Sequence, residues 1–318
     1  MTQAGGVPLV EVVRSGFVES VHRGSVVVLG ADGTVAASAG DVNVPIFPRS
    51  VNKPLQTVGM LRAGLRLAGP ADLALVCASH HGEDFHRDRV AALLRGAGLT
   101  AEALACPPDL PLSEAARTAV LRAGMGPDRL RMNCSGKHAG MLLTCLAAGW
   151  PLVGYHEPGH PLQRLLRRVV EEFTGEPVAA VGVDGCAAPV FAVSLTGLAR
   201  AYLRLVDAPV DTAEKAVSDA MRAHPEYVSG TVAEEARLSH GVPGLLVKNG
   251  AEAVIAAALP GTGAVAIKID DGGTRARIPA LVDALRRIGV AAGVLDELAR
   301  PPVLGGGRPV GCLRAVGW

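Results

Sequence analysis

Ser25-Val26-Val27-Val28-Leu29-Gly30-Ala31-Asp32-Gly33-Thr34-Val35-Ala36-Ala37-Ser38 is the stretch that decides the fold class. A β-branched run, a turn signal at Ala31-Asp32-Gly33 and a second extended run read as an antiparallel hairpin, and residues 9–13 supply a further strand before it. Outward from there, Leu55, Val58, Met60, Leu61 and Leu65 have helical spacing, with Pro48 and Ser50 at the helix entrance and Pro54 tolerable only in a first turn. Residues 73–78 form a short continuous apolar run, which predicts a buried strand delivering Ser79-His80-His81-Gly82-Glu83 at its carboxyl end. Helical patterns fill 86–173. Residues 187–195 are strand-like, and two helices follow to about residue 223. Residues 245–248 and 253–258 read as a hairpin around Asn249-Gly250, residues 264–269 as a last clear strand, and 279–288 as a helix with Pro279 in its first turn. Strands at both ends of a helix-rich middle predict an α+β fold rather than steady βαβ alternation. The expected organisation is one unit over 1–318, with strand-rich parts at about 1–80 and 180–318 around a helix-rich middle at about 85–175.

The chain has 318 residues, 49 % of them hydrophobic, enough for one large core. A net charge of +1 and an aromatic content of 3 % provide neither a basic field nor a stacking surface, which argues against nucleic acid as a partner. The first residues lack an apolar segment preceded by positive charge, and no uninterrupted apolar run approaches the length of a membrane span, so a soluble cytoplasmic protein is expected. Six cysteines in a chain of this size read as reduced thiols or a metal site rather than a disulfide framework.

Of 31 basic residues only five are lysine, and four of them, Lys53, Lys137, Lys248 and Lys268, lie in short motifs. Arginine does not give up its proton, whereas a desolvated lysine can become a neutral base or a metal ligand. Ser50 and Lys53 stand one helical turn apart, which can bring hydroxyl and amine within hydrogen-bonding reach near the unsatisfied N–H groups of a helix start. The plainer reading is a helix cap and a solvated charge. Cys134, Lys137 and Cys186, with Asp184 close by, offer two thiolates and an amine to zinc; taken without context, such cysteines are more often small buried apolar residues. Ser79 and Lys268 each follow a strand-like run and form a second serine and lysine pair if those strands are neighbours. Otherwise Ser79 is a turn residue and Lys268 pairs with Asp270 or Asp271. Of His80 and His81, at most one can enter a given site from a strand. Arg49 is either an exposed cation or a bidentate holder of a carboxylate.

Taken in order, Glu11-Val12-Val13-Arg14, Glu19-Ser20-Val21-His22-Arg23-Gly24, Pro48-Arg49-Ser50-Val51-Asn52-Lys53-Pro54-Leu55-Gln56, Ser79-His80-His81-Gly82-Glu83, Asn133-Cys134-Ser135-Gly136-Lys137-His138, Asp184-Gly185-Cys186 and Lys268-Ile269-Asp270-Asp271-Gly272 resemble the bacterial L-asparaginase II family of the Rhizobium type. The resemblance implies a fold like that of serine β-lactamases and glutaminases, an antiparallel sheet flanked by helices with a helix-rich part beside it. It also implies a homodimer acting on a small-molecule amide. Carried onto this chain, it makes Ser50 the nucleophile, Lys53 its base, and Ser79 with Lys268 a proton-relaying second dyad. It makes Cys134, Lys137 and Cys186 zinc ligands, and it places Arg49, Asn133, His138 and Asp184 around the substrate, Arg49 near its α-carboxylate and Asp184 near its α-ammonium. The implied chemistry is acyl transfer from asparagine to serine, release of ammonia and hydrolysis to aspartate.

One segment departs from the family pattern. Where a Pro-Glu pair is followed by Gly-x-x-Arg-x-Asp in the family, Pro225-Glu226 here leads through Gly230 into Thr231-Val232-Ala233-Glu234-Glu235-Ala236-Arg237. His81 also replaces a smaller residue. Both bear on the choice of substrate, and glutamine, a β-lactam or a small peptide amide are alternatives, as is a non-catalytic amino-acid or metal sensor.

Overall fold

The computed structural model describes residues 5–318. The opening hairpin forms as expected: β1 (Val7–Arg14) pairs with the long β2 (Phe17–Gly30), whose second half also pairs with β3 (Val35–Ala39), all antiparallel. A 3-10 turn, Arg49–Asn52, then runs into α1 (Lys53–Arg62). The helix-rich middle holds α2 (Pro70–Val76), α3 (Asp84–Gly96), α4 (Glu114–Arg122), α5 (Ser135–Ala148) and α6 (Pro161–Thr174). A small antiparallel ribbon, β4 (Ala180–Val183) and β5 (Pro189–Ala192), is followed by α7 (Leu195–Val206), α8 (Ala213–Ala223), α9 (Pro225–Val228) and α10 (Glu234–Gly241). The chain closes with β6 (Leu246–Asn249), β7 (Val254–Leu259), β8 (Gly263–Ile269), α11 (Arg277–Arg287), α12 (Gly293–Leu298), β9 (Pro302–Gly305) and β10 (Arg308–Ala315).

Eight strands make one antiparallel sheet in the order β6-β7-β8-β2-β1-β10-β9, with β3 alongside β2. The sheet is buried on both faces because its central strands carry apolar residues at successive positions. Val27 and Leu29 point into the core shared with α1, α2 and α5 to α8, while Val26 and Val28 point into a second core with α11 and α12. Small residues set the spacing on the first face. Ala256, Ala258, Ala264 and Ala266 lie beneath α7, which packs directly on β7 and β8. The α+β architecture expected from the sequence is therefore present, an antiparallel sheet flanked by helices.

One element differs from its sequence reading. Residues 73–78 are not a strand: Pro70 occupies the first turn of α2, and Leu73 to Val76 are buried all round because α5 packs on one side and α8 on the other. A helix buried on every side has no polar stripe, so its periodicity is lost and it reads like a core strand. α5 approaches α2 closely enough that a Cβ on Gly136 would overlap Leu75 O. That contact brings the start of α5, with Cys134 and Lys137, up to the end of α2, where Ser79 lies. The ribbon strand β4, the terminal strands β9 and β10, and α10 and α12 carry no sequence signal strong enough to have been read. No described helix is long and apolar enough to cross a membrane.

Candidate active site

Ser50 sits in the 3-10 turn before α1, on a tightly determined stretch of backbone. Arg49 has φ +53°, a left-handed conformation that costs energy for a residue with a side chain. Behind it Gly250, in the β6–β7 turn, leaves no room for a side chain: a Cβ there would lie 2.7 Å from Pro48 O and 3.3 Å from Ser50 N. From α7, Tyr202 Oη donates a hydrogen bond of 2.7 Å to Val51 O. The turn is thus held from the sheet and from the helical layer, and Ser50 lines a cavity of about 410 Å³.

Lys53, one turn further on, is buried. Its amine donates to Ala78 O and lies 3.0 Å from Ser79 Oγ and 3.1 Å from Cys134 Sγ. The direct Ser50–Lys53 hydrogen bond expected from their spacing is absent, because the first residue of α1 directs its side chain inward, toward the end of α2. Ser79 is held by Ser79 N donating to Val228 O (3.0 Å) and by the flanking His80 N bonding Asn133 O (3.1 Å).

The partner expected for Ser79, Lys268, is not beside it. Lys248 is, with its Nζ 3.0 Å from Ser79 Oγ. The topology explains the correction: Lys248 lies on the edge strand β6, and Lys268 lies on β8, two strands and therefore about 10 Å further across the sheet. Lys268 instead donates to Glu252 O at 2.8 Å and to Ile269 O. Lys248 is 1 % exposed, and burial, reinforced by the nearby Lys53, holds it well below the ordinary lysine range. Burial lowers Lys268 too, but that amine is only half-buried.

Cys134, Lys137 and Cys186 do come together. Lys137 Nζ is 3.1 Å from Cys186 Sγ, and Cys134 Sγ lies 3.1 Å from both Lys53 Nζ and Asn133 Oδ1. The interaction between the two thiols, opposed by burial and aided by Lys137, holds Cys186 below its ordinary range and Cys134 above it. Burial works against the Lys137 ammonium, yet Cys186, Cys134 and Asp184 outweigh it and hold Lys137 above its ordinary range. His138 is fully buried behind this group rather than on the cavity wall, with Nδ1 2.7 Å from Tyr155 Oη and Nε2 lacking any hydrogen-bond partner. Two sulfurs and a lysine nitrogen gathered here, beside an imidazole nitrogen without a hydrogen-bond partner, form a donor set that fits zinc once the lysine gives up its proton in favour of the metal.

Opposite lies a binding wall. Arg49 places Nε 2.8 Å and NH2 2.7 Å from Asp184 Oδ1, and both residues line the cavity with Asn133, Ser50 and Ser79. The sequence reading left Asn249, Glu235 and Arg277 unassigned. Asn249 and Arg277 also face the cavity, and the buried Glu235 of α10 joins them: Asn249 Nδ2 donates to its carboxylate at 2.6 Å and Arg277 NH2 at 2.9 Å. The signal for Lys248 was present in the sequence, since it too ends an apolar run and precedes a turn, Asn249-Gly250. The arrangement can supply a serine hydroxyl, an amine base and an ion pair able to bracket a zwitterion.

A family described as L-asparaginase II matches residues 10–315. No curated protein matches the sequence. Among solved structures, the chain is similar to a Bacillus glutaminase at 15 % identity and TM-score 0.47, over 86 % of this chain and 91 % of that one. It is similar to Mglu in its native form at 14 % identity and TM-score 0.43, over 84 % of this chain, and it spans 62 % of Mglu's length. A putative β-lactamase from Bacteroides dorei aligns at 12 % identity and TM-score 0.40, over 77 % of this chain and 84 % of that one.

Proposed function

The chain belongs to the L-asparaginase II family, and from that premise we propose that it is a serine amidohydrolase releasing ammonia from L-asparagine through an acyl-enzyme. The observation that carries the reading is that Ser50 and Ser79 line one cavity, with the amines of Lys53 and Lys248 both on Ser79 Oγ. In this reading the Arg49–Asp184 pair opens to take the substrate's α-carboxylate and α-ammonium. Ser50 Oγ then forms a bond to the side-chain amide carbon. Its proton passes to Lys53 by way of Ser79 Oγ, 3.0 Å from that amine, and the backbone N–H groups at the start of α1 would face the oxyanion. The C–N bond breaks as a proton is delivered to the leaving nitrogen through Ser79 and Lys248. Water then adds to the acyl carbon, the Ser50 ester bond breaks, and aspartate leaves with the proton returned to Ser50.

Cys134, Lys137 and Cys186 would hold a zinc ion, which would supply a fixed positive charge beside the substrate. Asn133, beside Cys134, would contact the substrate directly. The proposed protein acts as a cytoplasmic homodimer.

The test is ammonia release from L-asparagine by wild type and by Ser50→Ala, followed by mass spectrometry of the serine trapped by a slow-hydrolysing acyl donor. Release that falls by about four orders of magnitude in Ser50→Ala, with the acyl group on Ser50, is the expected result. A second reading follows from the geometry of Ser79, which already bonds both amines: acylation of Ser79 would make it the nucleophile and Ser50 the relay. Turnover of glutamine or a β-lactam in preference to asparagine would change the substrate while keeping the mechanism. Tight asparagine binding without ammonia from a folded, zinc-loaded protein would identify a sensor.

A further inference from the structure

Lys248 makes three contacts, and their chemistry is unequal. Asn249 O (2.8 Å) and Asn249 Oδ1 (3.0 Å) can only accept hydrogen bonds, whereas Ser79 Oγ (3.0 Å) can either donate or accept. A neutral amine has two N–H bonds and one lone pair. If both N–H bonds go to Asn249, the lone pair is left facing the Ser79 hydroxyl, which is the orientation a base needs. This requires Asn249 to present its oxygen, not its NH2, to Lys248, and an amide side chain can flip. What prevents the flip is on the other side of Asn249. Its Nδ2 donates at 2.6 Å to Glu235, a carboxylate that has no donor and that Arg277 NH2 holds in place at 2.9 Å. A flipped Asn249 would put oxygen against carboxylate and NH2 against the Lys248 N–H bonds, losing both contacts.

We propose that Glu235 is a positioning residue: through Asn249 it locks the orientation of Lys248 so that the amine's lone pair is aimed at Ser79. The inference rests on the serine and lysine reading above and adds to it a residue from the segment that departs from the family pattern. Asn249 interposes a neutral amide between Glu235 and Lys248, so the carboxylate orients the amine without forming an ion pair with it. Arg277 serves to keep Glu235 buried and fixed, since an unpaired carboxylate at 5 % exposure would be costly.

The test combines kinetics with a lysine spectrum. Glu235→Gln is nearly isosteric but offers an NH2, which allows Asn249 to flip; kcat for asparagine should fall about tenfold or more while KM stays within about threefold. In an Asn249→Ala background the same Glu235→Gln change should cost less than about twofold, because the residue through which it acts is gone. Five lysines make the 15Nζ spectrum of selectively labelled protein assignable, with Lys248 identified by its loss in Lys248→Met. Its resonance should shift in Glu235→Gln and stay in place in Glu235→Asp if the shorter carboxylate still reaches Asn249. An unmoved Lys248 resonance in Glu235→Gln, or a kcat loss that persists undiminished in the Asn249→Ala background, overturns the proposal. The spectrum needs no turnover. If wild type hydrolyses no amide, the functional reading fails and the lysine signal still decides the role of Glu235.

Discussion

Lys53 and Lys248 converge on one oxygen, each amine lying 3.0 Å from Ser79 Oγ. Their nitrogens are therefore no more than about 6 Å apart, and two ammonium ions at that distance repel by about 3 kcal/mol even at the moderate effective dielectric of a protein site. Both are buried, and Lys248 is held well below its ordinary range by burial first and by Lys53 second. Two charges are not comfortable so close together, and Lys248 is the amine whose proton the fold loosens.

This gives a signed pH dependence. In the unfolded chain Lys248 keeps its proton up to about pH 10.4, while in the fold it releases the proton well below that. Between those two values unfolding takes up a proton, so raising the pH through this window stabilises the native state, and lowering it through the folded value removes the difference. Lys248→Met should lose this slope: its stability, followed by denaturant titration from pH 7 to pH 10, should rise less than that of wild type. The same variant should lose at least about 10³-fold in kcat/KM. Lys268→Met, whose amine serves backbone carbonyls, should keep most of the activity.

Gly250→Ala probes the support of the Ser50 turn. The added Cβ would lie 2.7 Å from Pro48 O, a backbone atom that cannot yield without moving Ser50. Overpacking of this kind costs about 1–3 kcal/mol. The kcat should fall at least about tenfold, out of proportion to a drop of a few degrees in melting temperature, since the displaced atoms carry the chemistry. A variant with lowered stability and unchanged kcat would show that the turn tolerates the shift.

Arg49→Lys should raise KM for an α-amino acid amide by about tenfold or more and change kcat less. The guanidinium places two nitrogens on Asp184 Oδ1, at 2.7 and 2.8 Å, from a left-handed backbone position, and a single ammonium cannot copy that fork. Steady-state kinetics on both variants of the pair, Arg49→Lys and Asp184→Asn, separate binding from turnover. A kcat loss without a KM change would place Arg49 in the chemical step instead.

Metal analysis of purified protein should find about one zinc per chain in wild type and a large deficit in Cys134→Ser and Cys186→Ser, with Cys312→Ser unaffected. Zinc should also raise the melting temperature of the stripped wild type but not of those two variants, because a ligand stabilises only the state that binds it. Equal zinc in all four proteins would place the metal elsewhere.

What the sequence made legible was whatever local spacing or a short motif encodes. The hairpin at 25–38 announced itself through β-branched runs and Asp32-Gly33, and Ser50, Cys134 and Cys186 were visible as chemically distinctive residues in context. The helix at Pro70–Val76 was not, because burial on all sides removes the polar stripe that gives a helix its period. The choice between Lys248 and Lys268 was also out of reach. Both end apolar strands, and only the order β6-β7-β8 decides which of them lies next to Ser79. Glu235 was hidden by its neighbours' departure from the family pattern. Counted from Gly230, however, it stands at the acidic position of Gly-x-x-Arg-x-Asp, with Ala233 in place of the arginine. The acidic group was thus retained, and the structure shows it reaching Asn249 and Arg277.

β1 lies between β2, its immediate successor, and β10, which spans Arg308–Ala315. On a ribosome adding about 5–20 residues each second, the outer edge of β1 therefore waits on the order of 15–60 s for its partner to be made. During that interval a row of N–H and C=O groups flanked by Val10 and Val12 is open to any other nascent strand. Yield during biosynthesis, rather than the stability of the finished enzyme, is where the placement of these two strands exacts its cost. Slowing translation or raising expression temperature should increase inclusion-body formation before it alters the specific activity of the protein that escapes.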